Sequence, residues 1–147
     1  MARSRKKLGE ILVGYGVMST AQADKAAQLA RESGKRMGDA IVEAGFASEE
    51  QVTKALAQQF GMAYVDLSND EVRRQVDTKA IDESLVRKYH VLPLGKAGGK
   101  MQLIIHDPMD LELLDNLRFR LNMDIEPRLA SRSQIRRVIE GNAPKMV

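Results

Sequence analysis

Two short clusters in this chain carry residues able to do binding chemistry. Lys7-Leu8-Gly9 and Arg36-Met37-Gly38 each set a cation two residues ahead of a glycine. A cationic side chain offers charge-assisted hydrogen bonds to an anion, and a glycine lets backbone N–H groups approach one closely. The clusters stand 29 positions apart, as do Leu12 and Ile41, Val13 and Val42, Gly16 and Gly45, and Ser19 and Ser48. A fixed period over that length marks one supersecondary unit used twice. Two like units packed together make a pseudo-two-fold surface. That suits a ligand with its own two-fold symmetry, and it equally suits a stable helical core.

Other chemistries find little support. The 147 residues include no cysteine, which removes disulfides, thiolate metal sites and a cysteine nucleophile. The glycines and lysines at 95–100 lack the hydroxyl residue that follows the lysine of a phosphate-binding loop. His90 and His106 lie in different segments without metal-site spacing, and helix capping accounts for Asp107 and Asp110. No nucleophile elbow supports Ser-His-Asp catalysis. The chain therefore reads as a non-enzyme. A net charge of +3 with 4% aromatic residues argues against base stacking, and so against a DNA or RNA partner. Arg3, Arg5, Lys6 and Lys7 are followed by no apolar stretch of signal-peptide length, and no run approaches a membrane span. The expected location is cytoplasmic.

The elements that must position the two clusters are helices. Residues 5–60 read as a duplicated helix–turn–helix unit of four helices. In the first copy Leu8, Ile11, Leu12 and Tyr15 follow helical spacing, Gly16 stops the short helix, and Ser19-x-x-Gln22 caps the alanine-rich long one up to Ser33-Gly34. In the second, Met37, Ala40, Ile41 and Ala44 make the short helix and Gly45 stops it. Ser48-x-x-Gln51 then caps a helix carrying Val52, Ala55, Leu56 and Gln59 on one face, with Gly61 as its stop. After Gly61 the composition changes. A short strand is predicted over 63–67, a polar linker over 68–79 with a helical turn at 70–75, and a helix over 81–89. Strands at 91–94 and 101–105 are joined by Lys96-Ala97-Gly98-Gly99-Lys100, whose Gly-Gly pair between two apolar runs signals a hairpin. A helix opened by Asp107-Pro108 follows, then a strand at 124–128 and a last helix capped by Ser131-x-x-Gln134. The predicted class is α+β: a four-helix subdomain over 1–61, a short strand and linker over 62–80, and a small α/β sandwich-like subdomain over 81–147.

The repeat and the downstream pattern together resemble the N-terminal domain of the type II secretion and type IV pilus assembly ATPases, the GspE/PilB class, and in particular its cyclic di-GMP-binding version, the MshEN domain. That family carries two tandem 24-residue motifs, R-L-G-x-x-φ-φ-x-x-G-φ-φ-x-x-x-x-L-x-x-x-L-x-x-Q with φ apolar, five residues apart. Here the copies span 7–30 and 36–59, and 31–35 is the five-residue gap. Val91-Leu92-Pro93-Leu94, Leu103-Ile104-Ile105-His106-Asp107-Pro108 and Ile125-Glu126-Pro127 match the family's second subdomain. The second copy keeps Arg36, Gly38, Ile41, Val42, Gly45, Val52, Leu56 and Gln59, with Met37 as a mild variant. The first keeps Leu8, Gly9, Leu12 and Gly16 but has Lys7 for arginine, Ala23 and Ala27 for the leucines, and Ala30 for the glutamine.

The resemblance implies a regulatory and docking domain of a type II secretion or type IV pilus ATPase, or a stand-alone relative, that binds cyclic di-GMP through the tandem motifs. The implied ligand residues are Lys7, Leu8, Gly9, Leu12, Gly16, Arg36, Met37, Gly38, Ile41, Val42, Gly45, Leu56 and Gln59. No cofactor or metal is implied. Implied partners are the motor domain of the ATPase, in cis or in trans, and an inner-membrane assembly protein, through which the chain would reach the membrane. The alternative is an interaction module of the same family that has lost the nucleotide and docks the motor onto the assembly platform. The altered first motif favours that alternative, and the kept spacing and second motif favour binding.

Overall fold

The computed structural model describes residues 7–141, and the basic Arg3, Arg5 and Lys6 lie outside them. The chain divides into two compact units, residues 1–61 and 62–147.

The first unit holds four helices: α1 (Leu8–Gly14), α2 (Thr20–Ser33), α3 (Met37–Glu43) and α4 (Glu49–Phe60). Their ends repeat because local chemistry repeats. At the end of α1, Gly16 takes φ 75°. Its N–H reaches the Val13 carbonyl (2.9 Å), and the Val17 N–H reaches Leu12 (3.1 Å). At the end of α3, Gly45 takes φ 76° with the same pair of bonds, to Val42 (3.0 Å) and from Phe46 to Ile41 (3.1 Å). Both are Schellman stops, which need a left-handed residue that glycine adopts without strain. Ser19 and Gln22 exchange reciprocal cap bonds at α2 (3.1 and 2.9 Å), and Ser48 and Gln51 do so at α4 (3.0 and 2.8 Å). Leu8, Ile11, Leu12, Met18, Ala26, Ile41, Ala47, Val52 and Ala55 form the buried core. Equivalent positions compensate in size: Met18 answers Ala47, while Ala23 answers Val52. The periodicity did not single out Thr53, which is buried; its hydroxyl donates to the Glu49 carbonyl at 2.7 Å.

The second unit is a four-stranded sheet with helices. Its elements are β1 (Ala63–Tyr64), α5 (Asp70–Arg74), α6 (Glu83–Tyr89), β2 (Leu92–Ala97), β3 (Lys100–Ile105), α7 (Leu111–Leu121), β4 (Asp124–Leu129) and α8 (Arg132–Gly141). The strand order is β1-β4-β3-β2. β2 and β3 are antiparallel, while β4 runs parallel to β3 and to β1. The class is α+β. The hairpin loop is only Gly98-Gly99, both at positive φ (58° and 78°), so Lys96, Ala97 and Lys100 belong to the strands. Pro127 sits inside β4 without a donor to give; β1 pairs only at Arg128 and Leu129, so that side of Pro127 has no strand beside it.

Three expectations shift. The strand predicted over 63–67 pairs only at Ala63 and Tyr64. Past it the Asp66 carboxylate takes the Ser68 N–H and hydroxyl (3.0 and 2.6 Å), turning the chain. Those bonds hold Asp66 below the usual carboxylate range. The helix expected to open at Asp107-Pro108 begins at Leu111 instead. Asp107 closes a local turn onto the Met109 N–H (3.0 Å), and Asp110 is the cap, accepting from Leu113 (3.0 Å). Ser131 does cap α8, through the Gln134 N–H at 3.2 Å. However, the buried Gln134 side chain turns away from the cap. It accepts from the Leu67 N–H (2.9 Å) and donates to Asp66 (3.1 Å), tying α8 to the segment after β1.

Candidate functional site

Lys7 and Arg36 occupy equivalent places just before α1 and α3. Their backbones superpose in torsion space, φ/ψ −71°/151° and −69°/152°, and both side chains are exposed. The glycines beside them answer one another across the pseudo-two-fold. A Cβ built on Gly9 would lie 3.4 Å from Ala23 Cβ and 3.4 Å from Met37 Cε. One built on Gly38 would lie 3.0 Å from Val52 Cγ1 and 3.6 Å from Leu8 Cδ2. Positions 23 and 52 are equivalent in the repeat, and so are 8 and 37. Each glycine thus faces the long helix of its own copy and the residue after the cation of the other copy. The two motif starts interlock, and the absence of side chains at 9 and 38 is what lets the helices approach.

The remaining residues assigned from sequence fall into three groups. Gly16 and Gly45 are exposed helix stops. Met37, Val42, Leu56 and Gln59 are half-buried, so each keeps surface to offer. Leu8, Leu12 and Ile41 are core, with Leu12 and Ile41 wholly enclosed. In this structure they build the unit's interior rather than a surface. Among the changed positions of the first motif, Ala23, Ala27 and Ala30 are all half-buried, and Ala23 faces Gly9 of α1. Lys35, just ahead of Arg36, forms an ion pair with Glu43 at the far end of α3.

Contact at Gly38 is the tighter of the pair, and Val52 is β-branched on a helix, so it has little rotamer freedom to withdraw. Gly38→Ala is expected to destabilise the unit by about 1–3 kcal/mol, the range for overpacking. Gly9→Ala meets ordinary contact distances and gains helix propensity of up to ~1 kcal/mol, so it should be near neutral. Urea unfolding of the two variants measures the difference. Adding Val52→Ala to Gly38→Ala should recover part of the loss through a coupling of roughly 0.5–3 kcal/mol. No coupling would show that Val52 is not what opposes the new methyl.

In the second unit, among the described residues, no group of three or more His, Asp or Glu side chains is placed to hold a metal ion. The structure does bring His90 and His106 together, edge to face with ring centroids 6.4 Å apart. Burial, then the Arg132 cation, push His106 below its ordinary value of 6.5; Asp107 and Asp110 act the other way, and His90 adds to the lowering. Between the folded value and 6.5 the unfolded chain binds more protons, so stability rises with pH there. The contribution is complete above the unfolded value and is lost as pH falls through it. Melting temperature should therefore drop between pH 7.5 and pH 5.5, and the drop should shrink in His106→Gln. An undiminished drop in that variant would move the effect to another group.

With this geometry in place, known proteins supply the class. The chain is built like the N-terminal domains of secretion and pilus motors. It resembles the structure of MshE with cyclic di-GMP at a TM-score of 0.76 and 31% identity, covering 95% of this chain and 100% of that one. It shares the fold of the N-terminal domain of XpsE (TM-score 0.67, 22% identity, covering 95% and 97%). Among curated proteins it is 31% identical to the type IV pilus assembly ATPase PilB of Myxococcus xanthus over 91% of this chain and 24% of that protein. It is 25% identical to the type II secretion system protein E of Xanthomonas campestris over 79% of this chain and 21% of that protein. The chain thus spans about a quarter or less of these curated relatives. The sequence model of the MshEN domain matches residues 60–145, and the chain belongs to that family. The matched residues lie almost entirely in the second unit, so the tandem motifs are related to the family through the full-length likeness to MshE rather than through this match. Among the described residues no helix is long and apolar enough to cross a membrane.

Proposed function

We propose that this chain is a non-catalytic regulatory domain of a type IV pilus or type II secretion ATPase, and that it binds cyclic di-GMP through its tandem motifs. The observation that carries the reading is the interlocked pair of motif starts, with Gly9 against Met37 and Gly38 beside Leu8. Cyclic di-GMP has two phosphates and two guanines related by a two-fold, and this unit presents two exposed cations from matched backbones. Arg36 and Lys7 meet the anionic groups by charge-assisted hydrogen bonds, Arg36 with the planar fork that suits phosphate or guanine. The half-buried Met37, Val42 and Leu56 offer apolar cover for a base, and Gln59 offers an amide. Leu12 and Ile41 support these groups from the core. The resemblance to MshE with cyclic di-GMP supports the ligand.

Isothermal calorimetry with cyclic di-GMP, with GTP as control, tests it. Saturable heat with the cyclic dinucleotide and none with GTP is expected. No heat with either would favour the second reading, a docking module that contacts the motor and an inner-membrane assembly protein without nucleotide. The observation favouring that reading is the half-buried Ala27 and Ala30 on α2, small residues that let another helix come close. Either way the domain would act in the cytoplasm and reach the inner membrane through its partner.

A further inference from the structure

The second unit holds a groove that the tandem motifs do not involve. It is an open groove between the segment leading into α5 and the flank of α8, with a volume of ≈ 520 Å³. That is within the usual span of small-molecule sites, about 300–1,000 Å³. Its apolar lining is Leu67 and Val138, and its polar lining includes Ser68, Arg73, Gln134 and Arg137.

Side-chain hydrogen bonds tie the walls, and the one between Gln134 and Leu67 is buried. Gln134, 5% exposed, grips the Leu67 N–H and the Asp66 carboxylate. Arg73 donates to the Leu67 and Ser68 carbonyls (both 3.0 Å) and pairs with Asp70. Two acids bond to lining residues: Asp66 stays an anion while accepting from Ser68 and Gln134, and Asp70 is paired with Arg73. On α8, Arg136 has Glu140 at 3.9 Å. The side chain of Arg137, one turn past Gln134, is exposed and makes no hydrogen bond or ion pair among the described residues. The groove thus sets the apolar Leu67 and Val138 beside an exposed Arg137 guanidinium that has no ion-pair partner among the described residues, with Arg73 already paired.

We propose that this groove is a second binding site, for a small molecule carrying a phosphate or carboxylate on a planar or apolar body. Leu67 and Val138 take the body, and Arg137 takes the anionic group with its fork of donors. Because the walls are tied before a ligand arrives, little ordering is needed on binding.

The test is amide NMR of the ¹⁵N-labelled chain, titrated in turn with adenosine monophosphate, benzoate, adenosine and inorganic phosphate. Saturable shifts at Leu67, Ser68 and Val138 are expected with adenosine monophosphate if the anion is a phosphate, and with benzoate if it is a carboxylate. Adenosine and inorganic phosphate should bind at least ten-fold more weakly than the better of these. Arg137→Gln should weaken that binding at least ten-fold with an unchanged melting temperature, and Arg137→Lys should restore part of it. Arg36→Ala, which removes the principal cation of the tandem-motif site, should leave these shifts alone. The proposal is overturned by no saturable shift from either anion, by equal affinity in Arg137→Gln, or by inorganic phosphate binding as tightly as the larger probes, the mark of an adventitious ion only.

Discussion

Leu12→Ala and Ile41→Ala are each expected to lower the unfolding free energy of the helical unit by about 2–5 kcal/mol, the range for truncating a fully buried aliphatic side chain. Both side chains are at 0% exposure, at equivalent positions of the repeat. Each also sits at the carbonyl that receives the outer bond of its Schellman stop, from Val17 and Phe46. A cavity there loosens the short helix and its stop together. Urea unfolding followed by circular dichroism gives the loss. A second measurement distinguishes core from contact. At a temperature where each variant is still folded, affinity for cyclic di-GMP should stay within a few-fold of the parent, because neither side chain reaches the surface. A large drop in affinity with the fold intact would show that the apolar motif positions touch the ligand directly and that the unit opens to admit it.

What the sequence could disclose follows the range of the forces involved. Capping is decided within four residues, so Ser19 with Gln22, Ser48 with Gln51, and the stops at Gly16, Gly45 and Gly61 were all readable, as was the Gly98-Gly99 hairpin. Even there, two candidate caps close together misled. Asp107 and Asp110 both precede the same helix, and only the turn that Asp107 makes onto Met109 decides between them. Gln134 fits a capping box in sequence, yet a partner 67 positions earlier, Leu67, claims its carbonyl oxygen. Nothing local to residue 134 signals that.

The candidate site shows the same limit. Periodicity marks Leu12, Ile41 and Leu56 as apolar and on a face, but it cannot divide core from surface, because that depends on what the opposing helix brings. The meeting of Gly9 with Met37, and of Gly38 with Leu8, is likewise a contact between copies, visible only once the helices are folded against one another. The repeat announced that two like units exist. It did not announce that each supplies the lid over the other's glycine. This interlock also alters what the glycines mean: their first role here is close helix approach, and any closeness to an anion rests on the backbone that this packing fixes.

If the domain binds cyclic di-GMP as proposed, the two copies should not contribute equally. Arg36→Ala is expected to weaken cyclic di-GMP by about 1.5–3 kcal/mol, the range for a hydrogen bond to a charged group, or roughly ten- to a hundred-fold in affinity. Lys7→Ala should lose less. The two backbones are equivalent, φ/ψ −69°/152° and −71°/151°, so the difference lies in the side chains. A guanidinium offers a planar fork that meets two acceptors at once, whereas an ammonium on a flexible stem is a point charge that orders at greater relative cost. The second copy also keeps Gln59 where the first has Ala30, which supplies no side-chain hydrogen bond. Titration calorimetry of both variants against the parent measures the ranking, with melting temperatures as the control for folding, since both side chains are exposed. The reciprocal change, Lys7→Arg, should tighten binding. Equal losses at the two positions, or no gain from Lys7→Arg, would mean that the ligand is held by features the copies share, the interlocked glycines and their backbone, rather than by the cation that distinguishes them.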